Sequence, residues 1–263
     1  MKFRSPGNVL LVSVASLFFL PITLVAQQSV SHVRVVRLSY LSGSVAIKAS
    51  DATKWVKAMV DTPIQEGFEI STSADSYAEV EFENGSTARL GQLSRLTFDQ
   101  LALDPEGHKL NRMTFEQGCA TFHFLPEKHD AYSVKIAGAT LTTSGKSRFR
   151  TDLSKGHARV EVFNGLVEVA GPSGSAKLGK DKVLEYNTGT TEVAFNTRQG
   201  IAKDAWDKWT EARDSHLMAL KRREVAPNAM AHAWNGDTWS TRDGSPMPST
   251  TRSSGSSIAF PRP

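Results

Sequence analysis

The segment Thr143-Ser-Gly145-Lys146-Ser147 holds a Gly-Lys-Ser triplet, which in nucleotide-binding proteins ends a phosphate-cradling loop. That loop needs another glycine five residues before Gly145, and it must open a helix. Thr140 stands there instead, and alternating strand patterns flank the triplet on both sides, so it reads as a turn with Lys146 in solvent. The seven histidines (His32, His108, His123, His129, His157, His216 and His232) form no His-Glu-x-x-His array. His123 and His129, with Glu127 between them, could meet across a loop and offer three ligands to a metal; solvated loop residues account for the same pattern. Asp99, Asp104 and Glu106 surround a Pro-Gly turn, where aspartate commonly serves as a cap. No Gly-x-Ser-x-Gly elbow occurs, and a carboxylate pair for glycoside hydrolysis would be recognisable only in three dimensions. The single cysteine, Cys119, forms no internal disulfide and reads as a small buried strand residue. No residue is therefore assigned to catalysis, to a cofactor or to a metal, and the expectation is a protein that is not an enzyme.

Two sets of residues could bind rather than react. Glu79, Glu81 and Glu83 alternate with Ala78, Val80 and Phe82, which places three carboxylates on one strand face. That face is either solvated or a surface for a cation or a basic partner. Trp206 and Trp209 lie in a run, Gly200 to Glu224, whose Ala202, Ala205, Trp206, Trp209, Ala212, Leu217 and Leu220 recur with helical period. Asp204 and Asp207 lie early in that run and Lys221, Arg222 and Arg223 late, as the helix dipole favours, and Pro227 stops it. The tryptophans either dock the helix on the rest of the protein or meet a partner or membrane surface.

The elements that must carry these residues are strands. From His32 to about Asn196 the chain alternates apolar and polar residues between turn signals. Three segments repeat a strand, a glycine and a second strand: Ala78 to Leu90 around Asn84-Gly85, Met113 to Phe124 around Gly118, and Ala158 to Val169 around Asn164-Gly165. Each reads as a hairpin, and the Asn84-Gly85 pair predicts a type I′ turn, with both residues at positive φ. Further short strands are predicted at 33–38, 43–48, 68–72, 94–98, 134–137, 140–143, 148–151, 177–178 and 183–186. The expected fold is all-β, a mostly antiparallel sandwich or solenoid of successive hairpins over 32–196, followed by one amphipathic helix over 200–224.

The ends of the chain differ from its body. Lys2 and Arg4 precede an apolar run from Val9, and Ala26 offers a small residue for cleavage, so 1–27 reads as a signal peptide or, uncleaved, as an inner-membrane anchor through 9–26. After Ala226 the chain is rich in Ser, Pro, Gly and Thr without periodicity, and 226–263 reads as a disordered tail. A net charge of +4 on 263 residues is too weak and dispersed for a nucleic-acid partner. The expected location is periplasmic or secreted.

The stretch from Leu41 to Tyr186 resembles the FecR domain family. Its core, Gly67-Phe-Glu-Ile-Ser-Thr through Ala78-Glu-Val-Glu-Phe-Glu-Asn-Gly-Ser to Leu90, follows the family's order of a Gly-x-x-Ile-x-Thr entry, an aliphatic strand and Asn-Gly-Ser. Leu110 to Phe122, Val134 to Leu141, Arg148 to Arg150, Val160 to Val169 and Leu178 to Val183 resemble the later blocks. The resemblance implies an extracytoplasmic β domain without catalytic residues. It also implies kinship with a periplasmic transducer that relays occupancy of a siderophore transporter to a cytoplasmic sigma factor. Only Met1 to Asn8 precede the apolar run, so the sigma-binding segment of that transducer is expected to be missing here. Two functions follow. The first is a binding or scaffold module for a protein or an envelope polymer. The second is a membrane-anchored regulator that acts with a separate cytoplasmic partner.

Overall fold

The computed structural model describes residues 34–171, 174–188 and 195–224; the expected signal segment and tail lie outside the described residues. Seven strands come first: β1 (Val36–Ser42), β2 (Val45–Lys48), β3 (Val56–Lys57), β4 (Glu69–Thr72), β5 (Tyr77–Phe82), β6 (Thr87–Leu90) and β7 (Arg95–Leu103). The long β8 (Lys109–Phe124) follows. The rest are β9 (Ala131–Ile136), β10 (Ala139–Thr143), β11 (Ser147–Ser154), β12 (His157–Asn164), β13 (Val167–Gly171), β14 (Gly174–Leu178), β15 (Lys182–Asn187) and β16 (Asn196–Gln199), ahead of helix α1 (Ala205–Glu224). The fold is all-β with one appended helix. Among the described residues every strand pair is antiparallel except β8 with β9.

Two layers emerge from the pairing. One runs β1-β5-β6-β8-β11-β12-β15-β16. The other runs β3-β2-β4-β7-β8-β9-β10-β13-β14. Strand β8 belongs to both. Its first half, to Gln117, pairs with β7 and β9; its second half, from Gly118, pairs with β6 and β11. The alternating residues that face inward meet between the layers. Val80, Ala88, Phe122, Phe149 and Val162 form one row across the first layer by strand register. Ile70, Leu96, Phe115, Val134, Ile136, Leu141 and Val169 face them from the second, and all are buried in one core. Aromatic pairs bridge the layers, Phe82 to Tyr132 at 5.8 Å and Phe115 to Phe122 at 6.5 Å between ring centroids. The Tyr186 hydroxyl, buried with them, donates to the Ile136 carbonyl at 3.0 Å.

The three glycine segments do three different things. Asn84-Gly85 closes the one true hairpin among them, yet the turn is not type I′. The Gly85 N–H donates to the Phe82 carbonyl, and the Phe82 N–H donates to the Ser86 carbonyl. Glu83 and Asn84 fill the turn, and only Gly85, at φ +80°, is left-handed. This is the three-residue turn with a glycine bulge. Asn84 is held out of the left-handed region by its side chain, whose oxygen accepts from the Ser86 N–H while its nitrogen donates to the Leu125 carbonyl and to the Tyr132 hydroxyl.

Gly118 is no hairpin turn. The strands on either side of it are the two halves of β8, and the glycine, at φ +90°, is the bend where the strand changes layers. A Cβ here would lie 2.3 Å from Ser94 Oγ and 2.6 Å from Ser94 Cα, so the bend also needs the missing side chain. Asn164-Gly165 is likewise no hairpin. Strand β12 pairs with β11 and β15 in the first layer, whereas β13 pairs with β10 and β14 in the second. The dipeptide is a corner between layers, pressed against a second corner at 144–146: a Cβ on Gly165 would lie 2.3 Å from the Lys146 carbonyl oxygen. The Gly-Lys-Ser triplet forms that second corner, with Lys146 exposed and Ser147 starting β11.

Candidate functional site: a charged sheet face closed by a helix

The residues that alternate with the core row point out of the first layer, and they are polar, most of them ionisable. Register sets Glu79, Arg89, Thr121, Arg150 and Glu161 side by side on β5, β6, β8, β11 and β12. The next row carries Glu81, Thr87, His123 and Arg148. Helix α1 lies over both rows. Glu79 and Arg89, which alternation alone would leave in water, have 0% of their side chains exposed.

The helix is placed by its own first turn. Asp204 precedes it and accepts from the Asp207 N–H at 2.9 Å, while the Asp207 carboxylate accepts from the Asp204 N–H at 3.0 Å. This reciprocal capping satisfies two of the donors a helix start leaves open. Both capping acids also reach Arg150, whose Nη1 lies 2.7 Å from Asp204 Oδ2 and 3.2 Å from Asp207 Oδ1. Trp206 Nε1 donates to Thr121 Oγ1 at 2.9 Å. Trp206 and Trp209 stack 5.1 Å apart; Tyr77 stacks on Trp206 at 5.7 Å, and Tyr40 lies 5.8 Å from Trp209.

Two turns on, Asp214 sits among two arginines and a histidine. Arg89 Nη1 is 2.7 Å from its Oδ1, His123 Nδ1 is 2.9 Å from the same oxygen, and Arg148 Nε is 3.2 Å from Oδ2. Arg148 Nη2 also donates to Thr210 Oγ1 at 2.6 Å and to the Asp207 carbonyl at 3.1 Å. Glu79 receives Arg89 Nε at 2.6 Å from the neighbouring strand and Arg213 from the helix. The docked face of α1 is thus Trp206, Asp207, Trp209, Thr210, Arg213 and Asp214. It is not the purely apolar stripe expected, because Ala205 and Ala212 face solvent and the charges complement the sheet.

Burial and pairing push these groups in different directions. Burial drives the Glu79 carboxyl up, but Arg89 and Arg213 outweigh it and hold Glu79 below the usual carboxylate range. Burial likewise opposes Asp214, and His123 and Arg89 pull it below that range. At Asp207 burial wins, and the group stands above its ordinary value. Burial, with Asp152 nearby, pushes the Cys119 thiol well up, so at neutral pH it is a protonated thiol and a poor nucleophile. Cys119 is half-buried rather than core and lines a cleft of 260 Å³ with Tyr77, Gly91, Gln92, Arg150 and Trp206.

The residues singled out from sequence are dispersed. Trp206 and Trp209 are each 6% exposed and occupied by the sheet and its tyrosines, so their rings offer no open patch to a partner. The acidic strip is paired along its length, but only Glu79 leaves water: it meets Arg89 and Arg213, while the more exposed Glu81 meets Arg37 at 3.0 Å and Glu83 meets Arg34 at 2.5 Å. His123 and His129 do not share a site, since His123 turns to Asp214 and His129 lies 4.9 Å from the His108 ring. Asp104 caps its turn as expected, accepting from the His108 N–H and holding the His108 ring at 2.8 Å. The sequence reading missed Arg89, Arg148, Arg150 and Asp214. The alternation that exposed Glu79 would have placed Arg89 across from it, but nothing local announces a partner 125 residues away.

The outer face falls inside a recognisable family. Residues 68–168 match the family model described as FecR protein. This stretch is a FecR domain. The match spans the strands that carry Glu79, Arg89, His123, Arg148 and Arg150, and it ends before α1. Two crystal structures of a protein provisionally described as an anti-sigma factor from Parabacteroides distasonis are similar to this chain. They share 18% and 19% identity, with TM-scores of 0.44 and 0.42 over 51% of this chain. This chain spans 60% of the length of those solved chains. No curated protein matches it.

Proposed function

We propose that the protein is a non-enzymatic, extracytoplasmic module that works by binding a protein or an envelope polymer through its FecR domain. One observation carries the reading. Glu79, Arg89, Arg148 and Arg150 of the FecR domain's outer face are engaged in ion pairs that hold a helix, and the thiol that shares a cleft with Arg150, Cys119, is kept protonated by burial. A site built for proton transfer or nucleophilic attack keeps such groups facing a substrate. Residues 1–27 act as the export signal in this reading, and 226–263 as an appended tail.

A second reading follows from the FecR match itself: a regulator that stays membrane-anchored through 9–26 and passes its signal to a cytoplasmic partner. Among the described residues no helix is long and apolar enough to cross a membrane. Crosslinking in the native envelope, followed by identification of the captured partners, tests both readings. Recovery of a protein or polymer on the FecR domain supports binding, and turnover of an envelope substrate by the purified chain overturns the non-enzymatic reading. The mass of the mature chain separates the two, because a chain beginning near Gln27 or Gln28 removes the anchor.

A further inference from the structure

Removing α1 in thought leaves the outer face electrically unbalanced. Among the described residues Asp214 is the one carboxylate that pairs with Arg148 or with His123. With the capping Asp204 gone as well, Arg89 would keep only Glu79, and Arg150 only the ion pair with Asp152 and the neighbouring Glu161. These four basic side chains stand on three neighbouring strands of a hydrogen-bonded sheet, so their spacing is set before anything docks. Tyr77 and Tyr40 supply an aromatic wall beside them. The trough therefore selects a helix with acids three and ten residues beyond a capping acid and with indoles between, which α1 provides as Asp204, Trp206, Asp207, Trp209 and Asp214.

The helix is attached by side chains. Among the described residues no backbone hydrogen bond joins α1 to a strand, and residues 200–204, with Gly200 at φ +95°, connect it to β16. Removing α1 breaks no strand pairing. The trough lies within the FecR match and the helix lies outside it.

We propose that this face is a recognition site for an acidic, tryptophan-bearing helix, that α1 fills it in cis, and that a protein partner presenting a helix of the same chemistry displaces α1. The inference rests on the reading that the protein works by binding a partner, and it names the surface and the chemistry of that partner. Charge pairs in such an interface fix register and partner choice, and loss of one member of a buried pair weakens binding steeply.

The test uses the full chain and a fluorescein-labelled synthetic peptide with the sequence of residues 203–216, followed by fluorescence anisotropy. Asp214→Arg in the full chain sets a cation against Arg89, His123 and Arg148 and loosens α1. Trp209→Ala is the milder variant should the first lose its β-sheet circular dichroism. The peptide is expected to bind the loosened chain at least about tenfold more tightly than the parent chain, and a peptide with Asp207 and Asp214 changed to Asn to lose at least about tenfold. Equal binding to parent and loosened chains, or equal binding of the Asn peptide, overturns the inference. Peptide failure with an envelope partner still captured sinks the trough and leaves the binding reading standing. Peptide success without any envelope partner does the reverse.

Discussion

The first layer has two faces made by alternate residues of the same strands, and they are held by opposite means. Inward, Val80, Ala88, Phe122 and Phe149 meet other apolar side chains of the opposite layer, and a neighbour of similar volume would serve nearly as well. Outward, Glu79, Arg89, His123 and Arg148 accept one helix in one register, because each charge needs its counterpart. The inner face supplies stability, whereas burying the outer face costs desolvation that only well-placed ion pairs offset. A fold can thus spend one side of a sheet on cohesion and the other on selectivity.

The comparison breaks most visibly at Phe122, which packs on Phe115, Phe124 and Phe149. Phe122→Ala is expected to destabilise the chain by about 3–5 kcal/mol in urea unfolding, with sheet and helix signals lost together. Arg89→Ala takes one partner from each of two buried carboxylates, leaving Glu79 to Arg213 and Asp214 to Arg148 and His123, and should cost less than the roughly 3–5 kcal/mol of breaking a buried pair outright. Its signature differs: the fluorescence of Trp206 and Trp209 shifts to the red at lower urea than the loss of β-sheet circular dichroism. Coincident transitions in that variant would mean that helix and sheet are one cooperative unit.

Acid sharpens the contrast. Glu79 and Asp214 have folded-state values below their unfolded ones, so the stability they confer is complete above the unfolded carboxylate range and is lost as pH falls through the folded values. Asp207 is displaced the other way; its favourable share is present below the unfolded value and is lost as pH rises through the folded one. Asp214→Asn is therefore expected to destabilise at pH 7 and to flatten the acid limb of the stability curve. Asp207→Asn should be neutral or stabilising at pH 7, provided the cap survives. Thermal unfolding from pH 3 to pH 8 measures both, and equal losses from the two variants would refute the difference.

The smallest effect is chemical. Cys119 should react slowly with a thiol reagent at pH 7 in the parent chain and faster once Asp214→Arg loosens the helix beside it. An unchanged rate would show that the cleft does not depend on α1.

Much of the fold was legible because alternation is a local property. Ala78, Val80 and Phe82 turn inward as their spacing demands, whereas the helix starts at Ala205 and not at 200 as expected, because Asp204 and Asp207 cap it there. The three glycine segments show where legibility ended. Asn84-Gly85 and Asn164-Gly165 are the same dipeptide after the same kind of strand, yet one returns the chain beside itself and the other sends it to the opposite layer. What decides is which strand lies alongside, and for β12 those are β11 and β15, not the strand that follows the dipeptide. The candidate site was hidden for the same reason. Arg89 and Asp214 come together only after β6, β8 and β11 are paired and the helix has folded back over them.

Strand β8 carries one more consequence. Because its sixteen residues pass from one layer into the other, the layers are joined by continuous peptide bonds as well as by contact across the core. Sliding one layer over the other would have to stretch or unthread the main chain at Gly118. A pull on β7 or β9 at one end of β8 is therefore handed along covalent bonds to β6 and β11, the strands that cradle the helix. In mechanical terms the two β layers behave less as stacked plates than as one ribbon folded along β8.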